Sequence, residues 1–162
     1  MDTQNQKVPP AYTIEGPFFG LSAICTPILR SLPDWFGIEA AIHQYALEID
    51  QLPTFLVREA GEVMGFLSVR QHYPPSAEVL VMGILPAAHR QGMGRALLNQ
   101  AQVWLQEQGV EYLQVKTLGP SNPDENYAKT RDFYLAMGFQ PLEEFSQIWD
   151  ENNPCLILVK RL

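Results

Sequence analysis

The chain has 162 residues, 46% hydrophobic and 18% charged, which is the composition of a folded globular protein and the length of one ordinary domain. Eighteen acidic residues against eleven basic ones give a net charge of −7, which argues against a nucleic-acid-binding protein and against docking on an anionic membrane. No apolar run approaches the roughly 20 residues that a membrane-spanning helix needs.

The two cysteines, Cys25 and Cys155, lie far apart in sequence, and neither has a histidine or cysteine at metal-ligand spacing. They are typical of reduced, buried thiols. The amino terminus is polar and lacks the features of a secretory signal. Together these features predict a cytoplasmic protein without a metal site. Residues 1–10 are expected to be a flexible leader and residues 11–162 a single domain.

The first half of the chain predicts one short strand, two helices and three further strands. Apolar residues at Ile38, Ile42 and Ile49 recur at helical spacing. The turn at Ala60-Gly61 predicts a hairpin between its two flanking strands. The expected bounds are 12–15 for the first strand, 20–32 and 38–49 for the helices, and 54–59, 63–71 and 77–85 for the later strands.

The second half contains the strongest helix signal, at 92–108, where Leu97, Ala101 and Leu105 share one face and Gly109 supplies a left-handed stop. The remaining elements are expected to be a strand at 112–118, a helix at 125–137, and strands at 139–145 and 155–160. This βααβββαβαββ order predicts an α/β fold with a mixed, mostly antiparallel sheet of six or seven strands and helices on both faces.

The segment between the strand at 77–85 and the helix at 92–108 indicates an anion-binding site. Gly92 and Gly94 are poor helix formers, each costing about 1 kcal/mol relative to Ala. Without a Cβ they leave the N–H groups of the helix start open to an anion, which the helix dipole also favours. Arg90 and Arg95 add positive charge. The pattern predicts a phosphate held by backbone amides, and a tight turn that packs the helix on the strand is the alternative.

With its surroundings, this segment resembles motif A of the GNAT acetyltransferase superfamily, in which a Pro-containing turn leads into Arg/Gln-x-x-Gly-x-Gly/Ala at a helix start. Here it reads His89-Arg90-Gln91-Gly92-Met93-Gly94, so histidine replaces the usual first residue. The segment 130–139, TRDFYLAMGF, resembles motif B, which ends in Tyr-x-x-x-Gly-Phe. The resemblance covers about residues 54–161. It implies a GNAT-like fold with splayed central strands and an acyltransferase enzyme.

The resemblance implies acetyl-CoA as the acyl donor, held in a gap where the motif A strand separates from the next strand. The backbone amides of Ile84 and Leu85 are expected to face the pantetheine arm and the thioester. Gly83 suits a β-bulge that produces the gap, although it could also merely weaken a strand edge. The residues implied to hold the pyrophosphate are His89, Arg90, Gln91, Gly92, Met93, Gly94 and Arg95.

Tyr134 matches the family tyrosine that protonates the departing CoA thiolate. A phenol with a pKa near 10 suits a thiolate of similar basicity. The alternative is a core aromatic like its neighbour Phe133. The family usually places an asparagine seven residues before this tyrosine. Tyr127 occupies that position here, and the adjacent Asn126 is the candidate cofactor contact.

Glu78 is the first candidate for the base that removes a proton from the acceptor amine. It precedes an apolar run, and in a regular strand it would share a face with Leu80, Met82 and Ile84. An apolar setting can raise the pKa of a carboxyl group to a useful range. The alternative is a solvated residue at a strand start. His72 is the second candidate, and a surface histidine is its alternative.

The acceptor site of the family is built from the first two helices and the loop between the last strands. The candidates here are Asp34 and Trp35 in the first region and Trp149 in the second. His72, shortly before the strand at 77–85, is a further candidate for binding the acceptor. Acids beside aromatic rings suit a cationic amine. Helix capping by Asp34 and core packing of the adjacent aromatics are the alternatives.

The sequence therefore predicts an N-acetyltransferase that moves an acetyl group from acetyl-CoA to a primary amine of a small molecule, such as a polyamine, an amino acid or an aminoglycoside. Tyr134 would be the general acid and Glu78 the general base. A monomer or homodimer is expected, without metal, nucleic acid or membrane. The alternatives are an acetyltransferase for protein or peptide amines and a non-catalytic acyl-CoA-binding sensor.

Overall fold

The computed structural model describes residues 8–162, so residues 1–7 of the expected leader lie outside the described part. The order of the elements confirms the βααβββαβαββ prediction, with one 3-10 turn at Pro86–Ala88. The elements are β1 (Tyr12–Phe18), α1 (Ser22–Arg30), α2 (Glu39–Ile49), β2 (Thr54–Glu59), β3 (Glu62–Tyr73), β4 (Ser76–Ile84), α3 (Met93–Glu107), β5 (Tyr112–Leu118), α4 (Glu125–Ala136), β6 (Gln140–Asp150) and β7 (Asn153–Arg161).

The strands form one seven-stranded sheet in the order β1-β2-β3-β4-β5-β7-β6. Every neighbouring pair is antiparallel except β4 and β5, which are joined by the α3 crossover and run parallel. A parallel pair needs such a crossover because its strands start at the same edge of the sheet. The mixed, mostly antiparallel sheet predicted from the sequence is therefore confirmed.

The sheet buries an apolar core on each face. The core on one face joins α3 and α4 to the sheet through residues such as Leu97, Leu105 and Tyr134. The core on the other face packs α1 and α2 through residues such as Leu29 and Ile49. No helix in the described part of the chain is long and apolar enough to cross a membrane.

The last two strands are longer than the sequence predicts. β6 runs to Asp150 instead of ending near 145, and β7 begins at Asn153. The side chain of Asp150 stabilises the connecting turn, because its Oδ1 accepts hydrogen bonds from the amides of Asn152 and Asn153, both at 2.9 Å. The residues that precede Asp150 are exposed and lack a clear strand pattern, so the sequence alone does not indicate this extension.

The central parallel pair is open over half its length. β4 and β5 pair only from Ser76 with Tyr112 to Val79 with Val115, and beyond these four positions the strands separate. We call the opening the wedge and the pair Val79–Val115 its apex. The predicted gap beside the motif A strand is thus present. It positions the functional site between the two faces of the sheet.

A β-bulge lies at Leu80, next to the apex, and not at Gly83 as expected. Ser68 of β3 pairs with Val81 and Val69 pairs with Val79, so Leu80 is the extra residue. Gly83 has a packing role instead, since a Cβ there would lie 3.2 Å from Cε1 of Phe66 and 3.3 Å from Cγ2 of Ile28 on α1.

The bulge also changes which side chains share a face. Val79 belongs to the core on the α3 side, so Glu78 before it points to the α1–α2 face. Met82 and Ile84 pack against the α3-side core. The regular strand that would put Glu78 on one face with Leu80, Met82 and Ile84 is therefore not present. Leu80 stays on the α1–α2 face, whereas Met82 and Ile84 lie on the other because the extra residue reverses the alternation.

Candidate functional site

A cavity of about 520 Å³ runs through the wedge and is the candidate functional site. Its walls include Val79 and Met93 from the core on the α3 side and Leu32 and Val81 from the core on the α1–α2 side. The cavity therefore connects the two faces of the sheet. The start of α3 and the aromatic residues Trp35 and Phe36, from the loop between α1 and α2, both line it.

The backbone amides of residues 90–95 form what we call the amide cradle at the α3 end of the cavity. The first hydrogen bond of the helix runs from the Ala96 amide to the Gly92 carbonyl at 3.0 Å. Within residues 8–162, the amides of 90–95 find no hydrogen-bond acceptor. Arg90 and Gly92 hold left-handed backbone conformations, with φ of 61° and 80°. The turn thus aims unpaired donors at the cavity, as a bound anion requires.

The residues predicted to hold the pyrophosphate differ in how they meet the cavity. Met93, Gly94 and Arg95, which belong to the cradle, line it. His89 also lines it, but its Nε2 lies 2.7 Å from the carbonyl oxygen of Ile84 and thus contacts the end of β4. Gln91 is exposed, and its side chain donates to the Ala87 carbonyl at 3.2 Å.

The structure separates Ile84 and Leu85, the two residues whose backbone amides are expected to face the acyl donor. Ile84 lines the cavity. The Leu85 amide, however, donates to the Met64 carbonyl at 2.8 Å, so its predicted role as a donor to the thioester or pantetheine is wrong. The chain just after β4 still pairs with β3 at this point. The two residues lie far apart in sequence, so a local motif does not predict their contact.

Tyr134 lies in the wall of the cavity with only 4% of its surface exposed. Its ring packs edge-on against Phe133 and Phe139, with centroids 5.1 and 5.3 Å away. Burial raises the pKa of Tyr134 well above its usual value, so the phenol is protonated at neutral pH. A buried, protonated phenol beside a cavity has the chemistry of a proton donor.

Asn126 and Tyr127, near the start of α4, also line the cavity. Asn126 lines it near the helix start, where Asp124 Oδ1 accepts from the amides of Asn126 and Tyr127, both at 2.9 Å. The Tyr127 hydroxyl donates to the Trp35 carbonyl at 2.9 Å. The residue at the usual asparagine position therefore anchors the α1–α2 loop, and Asn126 presents the amide side chain instead.

Glu78 is buried, with 4% of its surface exposed, and lies behind the cavity wall rather than in it. Its Oε2 lies 2.7 Å from His72 Nε2, and its Oε1 lies 3.4 Å from Lys116 Nζ. His72 is partly exposed at the outer end of this group. Lys116, on β5, lines the cavity at the inner end.

Lys116 is a site residue that the sequence did not indicate. A single lysine in the buried strand 112–118 has no motif around it. Its importance comes from its place, because it is the first residue of β5 beyond the apex of the wedge. Within the described residues, no group of histidine, cysteine, aspartate or glutamate side chains is arranged to hold a metal ion.

Of the candidate acceptor-binding residues Asp34, Trp35 and Trp149, the structure places the two tryptophans in the cavity wall and Asp34 outside it. Trp35 lines the cavity, donates from Nε1 to Thr130 Oγ1 at 3.1 Å and packs against the His89 ring at a centroid distance of 6.1 Å. Trp149 also lines the cavity, but from strand β6 and not from a loop as expected. Asp34 is exposed and outside the cavity wall, and the residue that caps α2 is Ile38, not Asp34.

The cavity wall is positively charged although the chain as a whole is acidic. Within the described residues, no aspartate or glutamate lines the cavity. The basic side chains that do are His89, Arg90, Arg95, Lys116 and Lys129. A positive wall with unpaired amides suits a ligand that carries several negative charges, such as a phosphorylated cofactor.

Comparison with known proteins identifies this architecture. Residues 51–141, more than half of the chain, match the model of the acetyltransferase (GNAT) domain. A GNAT-family protein from Desulfovibrio desulfuricans superposes with a TM-score of 0.81 at 15% identity, over 93% of this chain and 99% of that one. None of the curated proteins matches the chain in sequence.

Two further solved structures are informative. A GNAT acetyltransferase from Elizabethkingia anophelis with acetyl-CoA bound has a TM-score of 0.69 at 16% identity, covering 94% of this chain and 99% of that one. The ribosomal-protein-S18-alanine N-acetyltransferase from Escherichia coli has a TM-score of 0.72 at 17% identity, covering 93% of both chains. At these identities the likeness establishes the shared fold.

Proposed function

This chain belongs to the GNAT acetyltransferases and is an acyltransferase, and on that premise we propose that it moves an acetyl group from acetyl-CoA to a primary amine of a small molecule by direct transfer. The observation that carries the proposal is the amide cradle of residues 90–95 at the mouth of the wedge. Its donors suit the diphosphate of a coenzyme A thioester.

The wedge has dimensions that suit the rest of the donor. Five residues of β4, 80–84, separate the apex from the chain that leads to the cradle. At about 3.3 Å per residue this is roughly 17 Å, a length comparable to an extended pantetheine arm. An acetyl group on the end of that arm would lie near the apex, between Tyr134 and the α1–α2 face. Acetyl-CoA supplies an activated acyl group there.

The transfer requires two protons to move. The neutral amine nitrogen attacks the thioester carbonyl carbon, and the carbon–sulfur bond breaks as the carbon–nitrogen bond forms. Tyr134 donates its phenolic proton to the departing sulfur. Glu78 accepts the proton of the amine through water, since its carboxylate lies behind the cavity wall. His72, hydrogen-bonded to Glu78 and partly exposed, connects this carboxylate to solvent.

Thermal unfolding with acetyl-CoA, ATP and NADH in parallel tests the donor. A ligand at 100 times its dissociation constant stabilises the native state by about 2.7 kcal/mol. In a domain of this size, that corresponds to a rise in Tm on the order of 5–10 °C. Acetyl-CoA is expected to produce this rise. A rise with ATP or NADH and none with acetyl-CoA would defeat the proposal.

Release of CoA thiol from acetyl-CoA across a panel of amines tests the reaction. Tyr134→Phe is expected to lower the rate roughly 100- to 10,000-fold, the usual contribution of a general acid. Tyr127→Phe is the matched control, because it also removes one hydroxyl beside the cavity but not the proposed donor. Full activity of Tyr134→Phe would remove the role assigned to it.

A peptide or protein amine is the second candidate acceptor. Trp149 on β6 lines the cavity and is 46% exposed, so a larger substrate could contact it from outside. The structurally similar protein from Escherichia coli is named for acetylating an alanine of a ribosomal protein. Peptides with free amino termini therefore belong in the amine panel. Turnover of peptides without turnover of any small amine would select this candidate.

A further inference from the structure

The acceptor end of the cavity has aromatic walls. Phe36 and Tyr45 line it from the α1–α2 face, and their rings pack edge-on at a centroid distance of 5.8 Å. Trp35 lines the cavity on the same face but nearer the amide cradle, since its ring packs against His89. The acids near these residues in sequence lie elsewhere, since Glu39 pairs with Arg30 at the surface. A polyamine or aminoglycoside, with several positive charges, would meet no carboxylate in this wall within the described residues.

Lys116 also lines the cavity, and the Glu78 carboxylate lies near both Lys116 and Tyr45. About a third of its side chain is exposed, and its Nζ lies 3.4 Å from Glu78 Oε1. This separation exceeds the usual range of an N–H···O hydrogen bond, about 2.7–3.2 Å. The nearer partner of Glu78 is His72, at 2.7 Å. Within the described residues, the Lys116 ammonium thus pairs loosely with one acid and keeps donors for another anion.

That other anion is not a phosphate of acetyl-CoA. The phosphate site proposed above is the amide cradle, and residues 80–84 of β4 separate it from the apex beside Lys116. A strand of five residues spans at most about 17 Å, at about 3.3 Å per residue. With the phosphates of the donor held at the cradle, an anion that reaches Lys116 from the α1–α2 face would belong to the acceptor.

We propose that the acceptor is an amine with an apolar or aromatic body and one anionic group, as in an α-amino acid, and that Lys116 binds the anionic group. This inference rests on the function proposed above and names its substrate class. The aromatic rings pack against the body of the acceptor, and the ammonium of Lys116 donates to its carboxylate. The acetyl transfer itself follows the steps already given.

Matched pairs of acceptors test the proposal, with CoA release as the assay. L-phenylalanine is compared with 2-phenylethylamine, which lacks only the carboxylate, and with spermidine as a polycation. The native enzyme is expected to prefer L-phenylalanine in kcat/KM by roughly 10- to 100-fold, the value of one charge-assisted hydrogen bond. Lys116→Met should bring the ratio close to 1, while Lys116→Arg retains it. Lys129→Met, a second lysine of the cavity wall, should leave the ratio unchanged.

A binding experiment covers the case in which catalysis itself is lost. 3-Phenylpropionate has the anion but no amine, so it cannot be acetylated. It is expected to raise the Tm of the CoA complex of the native protein and not that of Lys116→Met. An equal rise in both proteins would overturn the role of Lys116.

The kinetic outcomes separate this inference from the proposed function. A preference for 2-phenylethylamine or spermidine over L-phenylalanine would overturn the inference alone and leave the acetyltransferase intact. Equal slowing of both members of a pair in Lys116→Met would also overturn it, because Lys116 would then act only through Glu78. Binding of acetyl-CoA without turnover of any amine would defeat the proposed function, and the 3-phenylpropionate result would then decide on Lys116.

Discussion

Gly92→Ala and Gly94→Ala are expected to change the stability of the ligand-free protein in opposite directions. Gly92 has a φ of 80°, and a Cβ there would lie 3.3 Å from the Tyr12 hydroxyl. The left-handed conformation costs a residue with a Cβ about 1–2 kcal/mol. Because each kcal/mol moves the Tm of a domain of this size by about 2–4 °C, Gly92→Ala should lower it by roughly 2–8 °C.

Gly94 lies in the first turn of α3 with no such constraint. A Cβ there would meet the Phe133 ring at 3.6 Å, an ordinary van der Waals distance. Alanine is the better helix former by about 1 kcal/mol, so Gly94→Ala should raise the Tm by about 2–4 °C.

Acetyl-CoA separates the two variants further. Alanine at position 92 strains the turn that aims the amide cradle, so the rise in Tm caused by acetyl-CoA should shrink. Gly94→Ala should keep that rise, since the GNAT motif admits alanine at this position. Thermal unfolding with and without acetyl-CoA measures, for each variant, the Tm of the ligand-free protein and the rise in Tm that acetyl-CoA causes. If Gly92→Ala were as stable as the native protein and bound acetyl-CoA equally well, the assignment of the cradle would be refuted.

Three further predictions concern buried and aromatic side chains. Burial raises the pKa of Tyr134, so this phenol should stay protonated up to at least its ordinary pKa of 10. Its ionisation should therefore not lower the rate of CoA release below that pH. A fall in rate near neutral pH that Tyr134→Phe abolishes would contradict this. Burial raises the pKa of Cys25 from 9.0 to about 12, so between these pH values the native state holds a proton that the unfolded state releases. The free energy of unfolding should therefore fall as pH rises through that window, and Cys25→Ala should reduce the fall. Trp35→Phe removes the hydrogen bond to Thr130 and should destabilise the protein by about 1 kcal/mol in denaturant titrations, whereas an unchanged midpoint would mean that this bond does not hold the loop.

The features that the sequence predicts correctly depend on short local patterns of residues. The glycines at 92 and 94 and the segment ending at Gly138-Phe139 indicated the family before any coordinates, and hydrophobic periodicity gave the order of the elements. Such patterns succeed because helix starts, stops and amphipathic faces depend on residues within a few positions of each other.

The features that the sequence misses depend on pairing between distant segments. The bulge at Leu80 follows from the register against β3, and it reverses which face Met82 occupies. The Leu85 amide is taken by the Met64 carbonyl for the same reason. Lys116 becomes a cavity residue only because β5 leaves β4 one position earlier. No local pattern around these residues specifies such a register, so the sequence predicts the motifs but not the strand pairing between them.

The short ladder between β4 and β5 gives the donor position proposed above a mechanical consequence. In residues 8–162, four residue pairs join the strands β1–β4 to the strands β5–β7 within the sheet, so the two sections meet across a narrow seam. A pantetheine arm lying along the open edges would bridge that seam. Loading and discharge of the coenzyme would then stiffen and loosen the whole sheet, and amide hydrogen exchange along both edges should slow when acetyl-CoA is added.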